Sequence, residues 1–307
     1  MEYITTKEAA IKWNITDRRV RILCSEGKIA GARQVGRTWL IPSDANKPID
    51  ERIARYKRQT IIKKNISIFE QIDKKKQILD SLRPLTAGEL VRLREEFLIE
   101  FTYNSNAIEG NTLTLQETAM VLEGITIDKK PLKDHFEVIG HKDAFLYILQ
   151  LVQEKVPLSE RVIKEIHSLV LMNRPEDRGR YRRIPVRIMG ANYEPPQPYL
   201  VPVQMEQLIE KHNNMKSTMH VVESVAAFHL LFEGVHPFID GNGRTGRLLI
   251  NLELLQHGFP AINVKFTDRK RYYSCFNSFY DTGNSQEMTS LISEYVEEML
   301  DKYLEIL

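Results

Sequence analysis

The chain has 307 residues, which is enough for about two domains with buried cores. Lysine and arginine total 43 and aspartate and glutamate 41, and this balance argues against a disordered chain and against a uniformly basic nucleic-acid-binding protein. The two cysteines, Cys24 and Cys275, exclude a disulfide framework, and the lack of an apolar signal core or a bilayer-length apolar run predicts a soluble, cytoplasmic protein without a membrane segment.

Residues 1–47 predict a small domain made of two helices and a hairpin. Thr5 and Glu8 have the spacing of a capping box, which begins a first helix, and Thr16 caps a second one. The residues that follow form two short apolar runs on either side of a glycine-containing turn. Residues 28–42 are therefore expected to form a β-hairpin.

Basic residues mark the second helix and the hairpin of this domain; the arginines among them are Arg18, Arg19, Arg21, Arg33 and Arg37. A basic second helix followed by a basic hairpin is typical of proteins that dock in the DNA major groove and also contact the DNA backbone. The segment resembles winged helix-turn-helix modules of the excisionase or MerR type, which implies that residues 1–47 bind DNA. The alternative is a solvated basic face on a protein-interaction module.

A helical connector is expected over residues 48–85, because a polar, proline-containing break precedes a charged stretch with one apolar side. A helical pattern then runs over residues 86–110 and brings Ser105 and Glu109 one turn apart. Gly110 is a suitable helix end. Taken by themselves, these residues indicate only a helix terminus with an acidic side chain on its surface.

Helical patterns account for most of the remaining chain. We expect core helices over residues 115–122, 132–152, 159–171 and 222–234, and an amphipathic helix over residues 285–307 that packs on the core or forms a homodimer contact. His135, His141 and His167 lie on or beside these helices without acids or cysteines at metal-ligand spacing, so we interpret them as structural.

One segment of this helical region has a different pattern. Residues 179–193 alternate around a glycine-containing turn and are followed by two prolines, which predicts a β-hairpin. An isolated hairpin with a free edge could accept an extended segment of a target protein by strand addition. The alternative is a lid or a structural arm.

The stretch that begins at His236 combines three kinds of chemistry. An apolar stripe after it predicts a helix from about Gly243, and the free N–H groups at a glycine-containing helix N-terminus bind anions. Arg244 and Arg247 lie on one face of that helix and can each donate to a phosphate. Asp240 suits a magnesium ion that bridges phosphates, and His236 is the natural general base. The alternative is a tight Asp-Gly-Asn-Gly turn before a surface helix.

Residues 236–247 read His-Pro-Phe-Ile-Asp-Gly-Asn-Gly-Arg-Thr-Gly-Arg, and they resemble the Fic family signature, H-x-F-x-D/E-G-N-G-R-x-x-R, at every position. The resemblance implies that residues 86–307 form an all-α Fic domain with its core over residues 115–280 and a β-hairpin flap, so the whole protein should be mainly α. It also implies Mg²⁺-dependent transfer of a nucleotide monophosphate, usually AMP from ATP, to a hydroxyl group of a target protein.

The same resemblance assigns roles to residues of the signature. His236 would take the proton of the target hydroxyl, and Asp240 would hold Mg²⁺. The glycine-containing loop would cradle the α- and β-phosphates through Gly241, Asn242, Gly243 and Arg244, while Arg247 would bind the γ-phosphate. Tyr272 or Tyr273 would line the base pocket.

Two further segments acquire an interpretation from the resemblance. Ser105 and Glu109 match the S/T-x-x-x-E-G/N pattern of an inhibitory helix, in which Glu109 would occupy Arg247 and block the γ-phosphate. The flap residues Ile184, Val186, Ile188 and Met189 would position the target hydroxyl near His236.

The leading interpretation is therefore a self-inhibited protein adenylyltransferase that modifies a serine, threonine or tyrosine of a partner or of itself. Two other functions stay open. Glu109 could orient a water that removes AMP from a modified protein, or the Fic domain could serve as a nucleotide sensor for a DNA-binding regulator.

Overall fold

The computed structural model describes residues 3–13, 15–36, 38–46, 68–84, 86–188 and 193–307. The chain divides into two compact units, residues 1–67 and residues 68–307. Much of the predicted connector, over residues 47–67 and at residue 85, lies outside the described residues. The rest of the predicted connector lies in the second unit.

The described residues of the N-terminal unit form two helices and a three-stranded antiparallel sheet. Its elements are β1 (Tyr3–Thr5), α1 (Thr6–Trp13), α2 (Asp17–Ser25), β2 (Arg33–Val35) and β3 (Thr38–Pro42), with the strand order β1-β3-β2. The predicted capping box is confirmed, since the Thr5 N–H donates to the Glu8 carboxylate at 2.7 Å. The predicted hairpin is also confirmed by the pairing of β2 with β3. Strand β1 was not predicted, because three residues are too few to show an alternating pattern.

This unit has its own small core. Ala9, Trp13, Val20, Leu23 and Ile41 are buried, and they come from both helices and from β3. The arginines lie outside it: Arg18, Arg21 and Arg33 are exposed, Arg19 is half-buried, and Arg37 is outside the described residues.

The regular structure that is described in the C-terminal unit is all helical, with loops between the helices. Its helices are α3 (68–81), α4 (Ala87–Ile108), α5 (Leu115–Leu122), α6 (Leu132–Gln153), α7 (Glu160–Val170), α8 (Val201–Lys216), α9 (Val221–Val235), α10 (Asn242–Gln256), α11 (Arg269–Thr282) and α12 (Gln286–Ile306), with short 3-10 turns at Pro198–Leu200 and Phe266–Asp268. Helix α10 packs against α4, α6, α7 and α9. It is therefore the centre of the unit.

The two helices at the ends of this unit pack onto that centre. Ile72 of α3 and Leu291 of α12 are buried in the same apolar cluster. Lys75 donates to Glu297 at 2.8 Å and to Asp301 at 2.7 Å, which ties α3 to α12. The expectation that the last helix packs on the core is confirmed, and the homodimer contact stays a prediction.

Helix α8 was not predicted. Its buried residues Met205, Leu208, His212 and Met215 have helical spacing. Pro202 obscures the pattern from the sequence, because a proline usually ends a helix but is tolerated in the first turn.

The predicted β-hairpin flap is wrong for the part of it that the structure describes, since residues 179–188 and 193–197 contain no strand. Pro185, Pro195 and Pro196 have no N–H to donate, and a ladder through them would lose hydrogen bonds. The segment instead follows the surface without a strand partner. None of the described helices is both long and apolar enough to cross a membrane.

Candidate active site

A short loop joins the two central helices of the C-terminal unit. His236 ends α9 in the left-handed region at a φ of 48°, and Gly241 precedes α10 at a φ of 76°. The Asn242 side chain closes the loop, because it accepts from the Phe238 N–H and donates to the Phe238 carbonyl, both at 2.9 Å. The Asn242 side chain is thus committed to the loop, and its backbone N–H is the group that could face an anion.

His167 lies directly behind this loop. Its ring stacks on Phe238 with centroids 3.6 Å apart, and its Nε2 lies 2.9 Å from the Asp240 carbonyl. The Gly179 N–H donates to Nδ1 at 2.9 Å, so the neutral ring must carry its proton on Nε2 and donate it to Asp240. Burial lowers the pKa of His167 to about 4, which keeps the ring neutral. His167 therefore has a structural role, as expected, and it supports the loop between His236 and Gly241.

Arg182 also stabilises the loop, through hydrogen bonds to its backbone carbonyls. This buried guanidinium donates through Nε to the His236 carbonyl at 2.8 Å and through one amino group to the Pro196 carbonyl at 2.6 Å. The Arg182 N–H also donates to the Pro237 carbonyl at 2.9 Å. Arg182 therefore links both ends of the expected flap to the loop that carries His236. The sequence does not reveal this role, because Arg180 and Arg183 lie close to Arg182 in the chain and nothing local distinguishes the three arginines.

Asp240 and Arg244 lie together at the start of α10. Arg244 is buried between two carboxylates, with Glu137 at 3.1 Å and Asp240 at 3.3 Å. Burial raises the pKa of Asp240, but the Arg244 charge and the Gly241 N–H outweigh it, so the net pKa lies below the ordinary value. Asp240 is about one-third exposed and carries a negative charge at neutral pH, which suits a cation ligand.

Arg247 is more deeply engaged. It donates to the Ser105 hydroxyl at 3.0 Å, to the Ser105 carbonyl at 2.7 Å and to the Glu109 carboxylate at 2.8 Å. Burial lowers the pKa of its guanidinium, but Glu109 and Tyr272 outweigh this effect and raise it above the ordinary value. The predicted contact between the end of α4 and Arg247 is therefore present in the structure.

The Glu109 carboxylate also lies over the first turn of α10. It fills the space that a β-carbon on Gly243 would take, so only glycine fits at that position while Glu109 is there. Within the described chain, no side chain caps the N-terminus of α10, whereas Thr86 caps α4 and Thr114 caps α5. A helix N-terminus without a cap presents free N–H groups and a positive dipole end to a negative group. Glu109 is such a group.

The two tyrosines predicted for a base pocket differ in position. Tyr272 is buried, with its hydroxyl 3.4 Å from Arg247 and 2.7 Å from Nε2 of His229. Its ring is not available to stack on a nucleotide base. Tyr273 is 37% exposed and its hydroxyl donates to the Ile108 carbonyl at 3.4 Å, so it is the one of the pair that a base could reach.

The remaining predicted site residues lie around this centre. Ile184 is exposed, Val186 and Ile188 are half-buried, and Met189 is outside the described residues. His236 is 20% exposed, and its Nδ1 lies 3.6 Å from the buried Glu233. Glu233 was not singled out from the sequence, although its position one helical turn before His236 is a signal that could have identified it.

A magnesium ion fits the donors that are present. In the described parts of the chain no group of three or more His, Cys, Asp or Glu side chains forms a metal cage. Mg²⁺ commonly binds one or two carboxylates together with substrate phosphates and waters, so one exposed carboxylate beside an anion site is a sufficient donor set. Asp240 provides it.

Three comparisons agree on the family of this region. Residues 157–254 match the model of the Fic/DOC family. The protein adenylyltransferase Fic of Nematostella vectensis is 33% identical over 266 residues, which cover 84% of this chain and 61% of that protein. The chain spans about half to three fifths of the length of the first curated relatives that it matches.

Solved structures show the same fold. A Fic-domain signalling protein from Bacteroides thetaiotaomicron superposes with a TM-score of 0.69 at 28% identity, over 78% of this chain and 96% of that one. Fic-1 from C. elegans superposes with a TM-score of 0.72 at 29% identity, over 83% of this chain and 76% of that one. The loop at His236 and the N-terminal end of α10 both fall within the matched region, and residues 157–254 of this chain are a Fic/DOC family domain.

Proposed function

We propose that this protein is a self-inhibited protein adenylyltransferase. It transfers AMP from ATP to a serine, threonine or tyrosine hydroxyl of a target protein, or to a hydroxyl of its own, and releases pyrophosphate. The relatives named protein adenylyltransferase and the arrangement of His236, Asp240 and α10 support this assignment.

In the proposed reaction His236 accepts the proton of the target hydroxyl as that oxygen attacks the α-phosphorus of ATP. The bond between the α-phosphorus and the bridging oxygen breaks, and the pyrophosphate leaves with that oxygen. The N–H groups of Asn242 and Gly243 and the Arg244 side chain hold the α- and β-phosphates, and Arg247 holds the γ-phosphate. Mg²⁺ bound to Asp240 would neutralise charge on the phosphates. The catalytic contribution is mostly positioning and charge neutralisation.

The observation that carries the proposal is the position of Glu109. Its carboxylate binds Arg247, which this mechanism needs for the terminal phosphate, and it also lies over Gly243. A carboxylate and a phosphate are both anions that accept hydrogen bonds from an arginine, so the two groups compete for the same binding site on Arg247. The enzyme is then restrained until Glu109 moves.

The target would dock on the segment that contains Ile184, Val186 and Ile188. This segment follows Arg182 in the chain and precedes Pro196. Arg182 donates to the His236 carbonyl and to the Pro196 carbonyl, so both ends of the segment are held near His236. Among the described residues the segment has no strand partner. Backbone groups without a partner can accept an extended peptide by strand addition. Such pairing would bring a hydroxyl towards His236.

The test is transfer of labelled AMP from ATP with magnesium, with self-modification as the readout. We expect weak labelling of the intact protein, at least tenfold stronger labelling of Glu109→Gly, and none of Glu109→Gly combined with His236→Ala. If Glu109→Gly does not raise labelling and AMP release from a modified protein is lost, the reverse reaction replaces this assignment. If no variant labels with any nucleotide, the transferase assignment is wrong.

A second candidate function concerns the N-terminal unit alone. Helix α2 buries Val20 and Leu23 and exposes Arg18 and Arg21, so its outer face is basic. This face and the hairpin support DNA binding in the manner of a winged helix-turn-helix module. The expected result is binding whose affinity falls steeply with salt, since each phosphate contact releases counterions. An absence of binding at low salt would remove this candidate.

A further inference from the structure

The space behind His236 contains several polar atoms that have no hydrogen-bond partner. Within the described residues these are Nδ1 of His236, Oε1 of Glu233, Nδ1 of His229 and the hydroxyl of Tyr280. Buried polar groups are nearly always satisfied in native proteins, so a group of unsatisfied ones needs an explanation. These four come from α9, α11 and the start of the loop, and Glu233 lies among them.

Among the described residues, the basic side chain within ion-pair distance of Glu233 is His236. Its carboxylate is 10% exposed, and Oε2 lies 3.6 Å from Nδ1 of His236, one helical turn along. Its other oxygen lies against Gly246 of α10, beside the His229 ring, where any larger residue would collide with it. A buried carboxylate is costly unless it is paired or hydrogen-bonded, and the His236 imidazole can provide that partner.

The other titratable groups near Glu233 do not compete with His236 as a positively charged partner. Burial raises the pKa of the Tyr280 phenol, and the charge of Glu233 raises it further, so Tyr280 stays protonated and able to donate. The Tyr280 ring stacks on Tyr193 with centroids 4.2 Å apart. Burial lowers the pKa of His229 to about 3, so that ring stays neutral. Arg247 follows Gly246 in α10, and its guanidinium donates to Ser105 and Glu109.

The backbone also limits what His236 can do. The residue has a positive φ of 48°, which is uncommon for a residue other than glycine, and its carbonyl is held by Arg182. The main chain is therefore fixed, while the ring still needs a partner to select one tautomer. A distance of 3.6 Å is long for a hydrogen bond, but such contacts at active sites commonly shorten when substrate binds.

We infer that Glu233 is a positioning residue for His236: its carboxylate accepts a hydrogen bond from Nδ1–H, which keeps the proton on Nδ1 and leaves Nε2 unprotonated and able to take the proton of the target hydroxyl. The inference rests on the proposed role of His236 as general base, and it adds a residue outside the signature stretch. Glu233 also stabilises the imidazolium that forms when the proton is transferred.

The test uses the full chain with Glu233→Gln, made in the Glu109→Gly background. A glutamine can donate to Nδ1 and select the wrong tautomer, so we expect the turnover of AMP transfer to fall about 10- to 100-fold with little change in the KM for ATP.

A second readout does not depend on activity. ¹⁵N chemical shifts of the histidine ring distinguish the tautomers, and His236→Ala identifies the His236 signals. We expect an Nδ1–H tautomer in the intact protein and a shift towards Nε2–H in Glu233→Gln. Glu253→Gln is the matched control, because Glu253 is a buried glutamate that lies 3.0 Å from the buried His212, in another part of the unit. It should lower thermal stability and leave the His236 signals unchanged.

The two proposals can fail separately. If AMP transfer is absent but the His236 tautomer depends on Glu233, the positioning role stands and the transferase assignment fails. If Glu109→Gly transfers AMP and Glu233→Gln changes neither its turnover nor the His236 signals, the positioning role is overturned.

Discussion

The arginines of helix α2 and those of helix α10 have the same charge in different environments. Arg18 and Arg21 lie on the surface of the N-terminal unit, and Arg21 pairs with Asp17 in a contact that is open to water. Arg244 and Arg247 are buried in the C-terminal unit, and each faces carboxylates from a distant helix. Surface pairs contribute little to stability, whereas a buried pair that loses one member leaves an uncompensated charge. Burial is thus what distinguishes arginines that organise a site from arginines that are merely available to a partner.

The two units can be followed by different signals. Both tryptophans, Trp13 and Trp39, lie in the N-terminal unit, so tryptophan fluorescence reports on that unit. Circular dichroism reports mostly on the C-terminal unit, which has ten of the twelve described helices. Each variant can therefore be assigned to the unit that it disturbs.

The largest expected effect is on stability at Arg244. Replacing Arg244→Met removes the buried cation that lies between Glu137 and Asp240, and Glu137 keeps only Asn111 at 2.9 Å and Lys133 at 3.4 Å. The free energy of unfolding of the C-terminal unit should fall by about 4 kcal/mol. Urea unfolding followed by circular dichroism measures this, and the tryptophan transition should not move. A loss below about 1 kcal/mol would mean that the buried pair does not differ from a surface pair.

The next effect is on activity at Arg247. In the Glu109→Gly background, Arg247→Ala should reduce AMP transfer about 100-fold, or about 3 kcal/mol, because it removes a preorganised donor for the terminal phosphate. Initial rates at saturating and limiting ATP separate binding from turnover. Arg18→Ala is the matched control and should leave the rate within about twofold. Equal losses in the two variants would contradict the contrast between the units.

A smaller effect is a difference between the two units in how their stability depends on pH. The N-terminal unit has no histidine, while all eight lie in the C-terminal unit. Burial lowers the pKa of His229 to about 3. A folded-state pKa below the unfolded value of about 6.5 gives stability that is complete above about pH 6.5 and is lost as the pH falls towards the folded value. At about pH 5.5 this amounts to about 1 kcal/mol for such a histidine.

Thermal melts at about pH 7 and about pH 5.5 measure that loss. The melting temperature seen by circular dichroism should fall, and the one seen by tryptophan fluorescence should change less. His229→Gln keeps an acceptor for Tyr272 and should reduce the fall. An identical pH dependence in this variant would show that His229 does not contribute.

The smallest expected effect is on the surface of α2. The double replacement Arg18→Ala and Arg21→Ala should change the stability of the N-terminal unit by less than about 0.5 kcal/mol, as is usual for exposed residues. Urea unfolding followed by tryptophan fluorescence measures it. A loss above about 1 kcal/mol would show that these side chains support the fold instead of being available to a partner.

Local signals made much of the architecture predictable. The cap at Thr16 was predicted from its own residue type. The helices predicted to start at residues 86, 115 and 159 begin within one residue of those positions, after the caps Thr86, Thr114 and Ser159. The stretch at His236 was predictable for the same reason, because its chemistry is contiguous in sequence.

The parts that the sequence did not reveal depend on distant partners. His167 supports the loop only because α7 passes behind Phe238, and Arg182 is important only because its guanidinium reaches carbonyls more than ten residues away. Tyr272 and Tyr273 are adjacent and chemically identical, and only the packing of α11 shows that one is buried and the other open. The expected flap hairpin failed because local alternation does not supply a hydrogen-bonding partner.

The central claim is that Glu109 and the terminal phosphate of ATP compete for Arg247. Calorimetric binding of ATP and of ADP, each with magnesium, to the intact protein and to Glu109→Gly tests it most directly. The account predicts that Glu109→Gly binds ATP at least about tenfold more tightly than the intact protein, a gain of about 1.4 kcal/mol, while ADP binds both within about twofold. Equal ATP affinities in the two proteins would contradict the account.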